Sequence, residues 1–181
     1  ELRKLIAFTA GDSMLVFVGL PWEYNNKLYN VAAAIQDGKL LGLVPKRWIP
    51  NYSEFYEGRY FNPGWEKIID VSWDGYQVPM GMKLLFSCDN VENLVVGAEI
   101  CEDVWVLNPP SIAHASAGAT VIVNCSASDE VTGKSEYRRS LISGQSARLL
   151  CAYIYANAGE GESSQDLVFG GQNIIAENGN I

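Results

Sequence analysis

The feature that most constrains this chain is a succession of short apolar runs, each too brief for a long helix. MLVFVGLP (Met14 to Pro21) runs continuously into Gly-Leu-Pro, which predicts a strand buried on both faces. In KLYNVAAAIQDGKLLGLVPK, Asp37-Gly38 separates two extended runs and predicts a hairpin ending at Lys46. Further strands are expected at Met82 to Ser87, Leu94 to Cys101, Ala119 to Asn124, AYIYAN (Ala152 to Asn157) and Gln172 to Glu177. Helices are expected at Pro110 to Ser116, ended by Gly118, and within Gly133 to Ala152. Strands alternating with helices predict a layered α/β domain.

Between Ile49 and Trp65 the chain reads IPNYSEFYEGRYFNPGW, a loop too aromatic for a solvated linker. Asn178-Gly179 predicts a closing turn whose partner strand is not in these residues, and the chain also begins without a clear first strand-and-loop unit. A fragment of one domain, short at both ends, is therefore expected. The formal charge of -8 and the lack of a Lys/Arg cluster argue against nucleic-acid or anionic-membrane partners. No apolar run approaches the roughly 18 to 20 residues that span a bilayer, and no secretory signal pattern opens the chain, so a cytoplasmic setting is expected. Cys88, Cys101, Cys125 and Cys151 are widely spaced, which suits reduced thiols that mostly fill the core.

The segment VVGAEICEDVW (Val95 to Trp105) sets Cys101 among Glu99, Glu102 and Asp103 at a strand end. Nearby carboxylates and burial both disfavour a thiolate, so a nucleophile there needs help from elsewhere in the chain. His114, the lone histidine, lies on a helix where a structural role competes with a Cys-His pair. A metal site from Cys101, Glu102, Asp103 and His114 lacks the usual paired spacing, and adjacent strand residues face opposite ways. Lys46, ending another strand just before the loop with Glu54 and Glu57, could lend positive charge to a thiolate and an oxyanion while a carboxylate moves the proton. GEGESS (Gly159 to Ser164) has glycines but no lysine or P-loop helix, which argues against phosphate binding.

PKRWIPNYSEFYEGRYF (Pro45 to Phe61), GAEICEDVW (Gly97 to Trp105), NCSASDEVTGKSEYRR with the later QSAR, and YIYANAGEGESSQDLVFGGQNIIAENG together resemble the nitrilase (carbon-nitrogen hydrolase) superfamily. The resemblance is strongest to its glutaminase branch, which in bacteria is fused to a glutamine-dependent NAD synthetase. It runs from about Val16 to the C-terminus and implies a four-layer α-β-β-α sandwich, here truncated at both ends, with residues 1–181 as a fragment of one glutaminase domain.

The resemblance places Cys101 on the nucleophile that forms a γ-glutamyl thioester and releases ammonia. It places Lys46 on the lysine that stabilises the tetrahedral intermediate together with the backbone N–H of Glu102, and Glu54, eight residues on, on a supporting glutamate. Tyr52, Glu102, Trp105, Ser128 and Lys134 fall where that branch lines its glutamine pocket. The family's base glutamate lies in a Pro-Glu-Leu-like motif upstream of the matching segments and has no counterpart here, so a fragment alone is expected to lack normal glutaminase activity. The implied parent delivers ammonia to a synthetase domain that amidates nicotinic acid adenine dinucleotide. ATP and Mg²⁺ are expected only in that domain, whose Ser-Gly-Gly-x-Asp-Ser loop is absent from these residues, and the glutaminase reaction is expected to need no cofactor. A homo-oligomer is expected from the superfamily's habit of pairing its sandwiches. A stand-alone amidase or carbamoylase, and a catalytically silent assembly domain, are the alternative readings.

Overall fold

The computed structural model describes residues 1–162 and 166–181 and resolves the apolar runs into two five-stranded sheets. In the first, β1 (Val16–Tyr24), β2 (Lys27–Gln36) and β3 (Lys39–Pro45) form an antiparallel meander. A hairpin of β4 (Ile69–Trp73) and β5 (Tyr76–Met80) joins it by a parallel contact of Leu43 with Met80. In the second sheet β6 (Leu85–Ser87) pairs antiparallel with β7 (Val95–Ile100), and β7, β8 (Val121–Ser126) and β9 (Ala152–Asn157) run parallel. β10 (Ile174–Glu177) closes the order β10-β9-β8-β7-β6. Parallel neighbours need crossovers, and α2 (Pro110–Ser116) and α3 (Lys134–Leu149) supply them.

The expected alternation of strands and helices thus holds in the second sheet, whereas the first is built from hairpins without crossover helices. Asp37 and Gly38 take positive φ values of 46° and 69°, as a two-residue hairpin turn demands. Asp74 and Gly75 do the same at 44° and 87° in the β4–β5 hairpin, which is an addition to the expected strands. β1 corrects another expectation. Instead of being buried on both faces it is an edge strand whose residues alternate between part-buried and exposed from Val18 on, because only β2 pairs with it. Ser163 and Ser164 of the GEGESS stretch lie outside the described residues.

The period of two sorts each strand's side chains between an inner and an outer layer. On the outer face of the first sheet Val31, Ala33, Ile35, Leu43, Val71, Val78 and Met80 pack with Ile6 of α1 (Leu2–Phe8). On the outer face of the second sheet Ile122, Tyr153, Tyr155 and Ile174 pack with Ile142 of α3. Between the sheets Ala32 and Val44 meet Ala98 and Ile100, with Phe17, Phe86, Val123 and Cys125 around them. The layers are therefore α-β-β-α. Gly42 belongs to the inner face as well, since a Cβ there would sit 3.0 Å from Leu84 and 3.1 Å from Phe86.

His114 of α2 is buried beneath β7, its Nε2 2.8 Å from the carbonyl of Met82. Burial lowers its pKa, so the neutral ring is favoured, and its place outside the second sheet makes it a packing residue rather than a partner for the cysteine. A methyl group at Gly97 would stand 2.8 Å from the ring Nδ1, and the hydrogen bond to Met82 keeps that ring from moving aside. Gly97→Ala is therefore expected to destabilise the fold by about 1–3 kcal/mol through overpacking, read as a lower denaturation midpoint at unchanged slope.

Candidate functional site

Lys46 follows β3 and continues the inner-facing series Gly42, Val44, Lys46, so the pleat aims its side chain into the space between the sheets. Its backbone N–H makes the last β3 bond, to the Asn30 carbonyl at 2.8 Å. The side chain is almost wholly buried, and its ammonium is held by both oxygens of Glu57 at 2.8 and 2.9 Å. A buried cation without such a partner would cost several kcal/mol, so the pair is what lets a lysine stand there charged.

Cys101 follows the last residue of β7 and begins a 3-10 turn, Cys101–Val104. Its φ of +44° lies in the left-handed region, a conformation that costs a non-glycine residue on the order of 1–2 kcal/mol. Asn124 on the neighbouring strand holds it there, accepting the Cys101 N–H on Oδ1 at 2.8 Å. The same oxygen accepts from the Ser126 hydroxyl, while the Asn124 amide donates to the Tyr153 hydroxyl at 3.1 Å. Lys46, Glu57 and Cys101 line one cleft of about 360 Å³, with Cys125, Asn157 and Glu162 also on its walls.

The carboxylates flanking Cys101 diverge. Glu99 points outward, buried under α2, where it accepts from the Ser111 N–H at 2.8 Å and from the Tyr153 hydroxyl. Burial raises its pKa. Asp103 is also buried and accepts three backbone N–H groups, from Trp48 at 2.8 Å, Ile100 at 3.0 Å and Arg47 at 3.1 Å. Burial, and then the charge of Glu99, push its pKa up to about 7. Glu102 is part-buried and accepts from the Tyr52 hydroxyl at 3.0 Å on each oxygen; burial raises its pKa while Tyr52 and Lys46 oppose the rise.

The remaining predicted residues fall into separate groups. Glu54 was expected as a supporting glutamate, and the carboxylate that reaches Lys46 is Glu57, eleven residues on. The loop tightens into a 3-10 turn at Glu57–Arg59, and the Glu54 pKa is held below the ordinary carboxylate range by hydrogen bonds with the Ser53 hydroxyl, its own N–H and Asp129. Trp105 stacks on Tyr137 at 5.6 Å, and the Lys134 ammonium lies 5.4 Å above the Trp105 ring and 5.6 Å above Phe55 while pairing with Asp129. Ser128 is buried, its N–H donating to Asn157 at 2.7 Å and its hydroxyl accepting from Arg138 at 3.3 Å. Arg138, fully buried, anchors this wall, whereas Arg139 is solvated.

Chemically, the cleft places a thiol at a strand end with an ammonium and a carboxylate on its wall. The Glu102 N–H stands in the first turn of a short helix, where amides lack intrahelical acceptors. That set suits attack on a carbonyl carbon with the developing oxyanion met by the lysine and an amide. Glu57, Asn124 and Tyr153 escaped the sequence analysis as site residues. An irregular loop offers no period that separates Glu54 from Glu57, but Asn124 sits where a parallel strand beside the cysteine strand must end, and that placement was readable. Among the described residues no group of three or more His, Cys, Asp or Glu side chains converges as metal ligands.

The carbon-nitrogen hydrolase family model matches residues 1–181. The glutamine-dependent NAD(+) synthetase of Mycobacterium tuberculosis (strain ATCC 25618 / H37Rv) is 43% identical over 178 residues, covering 98% of this chain and 26% of its own length. That of Aquifex aeolicus is 34% identical over 173 residues, with 95% and 26% covered. The chain thus spans about a quarter of the length of these relatives. Among solved structures, a glutamine-dependent NAD(+) synthetase from Cytophaga hutchinsonii superposes with a TM-score of 0.83 at 28% identity, over 99% of this chain and 29% of that one. An amidase of the nitrilase superfamily from Nesterenkonia shares the fold at a TM-score of 0.71 and 17% identity, over 99% of this chain and 59% of that one.

The strain at Cys101 is measurable. Cys101→Gly should be more stable than Cys101→Ala by up to about 1 kcal/mol in chemical denaturation, because glycine adopts positive φ without a Cβ clash although it loses more backbone entropy. An alanine variant of equal or greater stability would show that the left-handed backbone carries no strain.

Proposed function

Because this chain belongs to the carbon-nitrogen hydrolase family, we propose that it is the glutaminase part of a glutamine-dependent NAD synthetase. The observation that carries this reading is the single cleft lined by Lys46, Glu57 and Cys101 in a chain of which 98% aligns, at 43% identity, with such a synthetase.

In the proposed reaction Cys101 Sγ attacks the side-chain carboxamide carbon of glutamine. A C–S bond forms, the C–N bond breaks, and the nitrogen leaves as ammonia with the proton given up by the thiol. Water then attacks the thioester carbon, releasing glutamate and restoring the thiol. Both tetrahedral intermediates carry an oxyanion, which Lys46 Nζ and the Glu102 N–H would meet. Glu57 keeps Lys46 aimed into the cleft and balances its charge between turnovers. The family resemblance implies a glutamate as proton acceptor, in a motif that has no counterpart among these residues. Tyr52 and Glu102 form an anionic, hydrogen-bonded pair suited to the α-ammonium of glutamine, and Trp105, Lys134 and Ser128 would complete that side of the pocket. Glu54, expected as the supporting glutamate, keeps that place in the proposal only as a neighbour on the same loop, while the carboxylate paired with Lys46 is Glu57.

No cofactor enters this half of the chemistry. ATP and Mg²⁺ would serve a fused synthetase domain of the same parent chain, which consumes the ammonia. A homo-oligomer in the cytoplasm, with its thiols reduced, completes the proposed setting.

The full-length protein, treated with the electrophilic glutamine analogue 6-diazo-5-oxo-norleucine and mapped by mass spectrometry, is expected to carry one adduct, on Cys101. An adduct elsewhere, or none, refutes the nucleophile. Lys46→Met is expected to lower glutamine-dependent turnover by at least about a hundredfold, in line with the loss of an oxyanion donor, and to leave turnover with free ammonia intact. Equal loss of both activities would place Lys46 in the fold or the domain interface instead.

A further inference from the structure

The reactive pair is assembled from two different sheets, and no strand hydrogen bond links β3 to β7. Lys46 makes the final sheet bond on its side, to Asn30, after which the backbone leaves β2. The next two N–H groups, on Arg47 and Trp48, are met by one oxygen of Asp103 at 3.1 and 2.8 Å, the Arg47 N–H reaching the second oxygen as well at 3.4 Å. The other oxygen of that carboxylate accepts the N–H of Ile100 at 3.0 Å, one residue before Cys101. The side chain is 1% exposed, so water does not compete for these bonds.

We infer that Asp103 is a positioning residue, whose buried carboxylate clasps the backbone next to Lys46 and next to Cys101 and thereby fixes the distance between ammonium and thiol across the cleft. This inference rests on the proposed glutaminase reading. The alternative explanation, that Asp103 only satisfies loose N–H groups, accounts for its stability role but gives no reason for one carboxylate to take donors from both sheets, each adjacent to a reacting residue. Asp103 does not line the cleft, so its effect is on alignment and not on substrate contact. A misplacement of about 1 Å between reacting groups costs up to about a hundredfold in rate.

Asp103→Asn keeps the shape of the side chain but offers one acceptor oxygen and turns an amide donor toward N–H groups that also donate. In the full-length enzyme, inactivation by 6-diazo-5-oxo-norleucine is followed at several concentrations, with labelled Cys101 counted per folded molecule. The expected result is a maximal inactivation rate at least about tenfold below the parent, with half-saturation within about twofold, and a further drop in Asp103→Ala. An unchanged maximal rate, or a change confined to half-saturation, overturns the positioning role. Should the Asn variant fail to fold, Asp103→Glu keeps the charge and both oxygens but lengthens the clasp by a methylene; the inference requires its maximal rate to fall as well, and an unchanged rate overturns it. A parent enzyme that takes no label at Cys101 sinks the glutaminase reading itself, which separates the two failures.

Discussion

The close approach of the two sheets is the constraint on which the site depends. Alanine stands at positions 32 and 98 of the inner faces, and glycine at 42 leaves room for Leu84 and Phe86 to lie against β3. Facing sheets are commonly about 10 Å apart, a gap that a lysine side chain enters and crosses more than half of. With the pleat fixed by the buried Val44, Lys46 has no face available but the inner one, and a one-residue slip of β3 would send it outward toward α1. Packing therefore decides the lysine's direction before any electrostatic interaction acts on it.

Electrostatics then decides which charges survive that burial. Three carboxylates flank Cys101 in sequence, and in space each has its own donors and its own direction: Glu99 outward to Ser111 and Tyr153, Asp103 across to β3, Glu102 toward Tyr52. The thiol is thus spared a convergent negative cluster. The buried ammonium of Lys46 is paired with Glu57, a carboxylate brought in by the aromatic loop and not by the cysteine's own strand. The sequence problem of a cysteine among acids is solved by topology, since β7 ends at Ile100 and the tight turn that follows points successive side chains to different walls.

How much of this was legible follows from where local chemistry decides the outcome. The Asp37-Gly38 hairpin, α2 with its closing Gly118, α3 and the parallel strands β7, β8 and β9 were readable because turn residues and apolar runs fix them locally. The β4–β5 hairpin carries the same Asp-Gly signal and was passed over because Ser72 and Gln77 dilute its apolar pattern. The burial of β1 was misjudged since an apolar run does not say how many neighbours a strand has. At the candidate site, the placement of Lys46 and Cys101 at strand ends was legible, and the two line one cleft. Glu57 was not distinguishable from Glu54, because only the three-dimensional course of the loop selects between two carboxylates three residues apart.

The left-handed backbone at Cys101 links these levels. A strand running straight on from Ile100 would pair with β8 and bury the thiol within the sheet; the positive φ breaks the strand there and leaves Cys101 on the cleft wall. Two devices hold the break, the Asn124 acceptor for the Cys101 N–H and the 3-10 turn that follows, and both are rooted in the parallel strands of the second sheet. Asn124 is in turn fixed by Tyr153, which Glu99 anchors from behind. The outer face of the second sheet, with Glu99, Tyr153 and α3, thus supports a strained residue on the inner side, whose part-buried thiol itself packs against the core between the sheets.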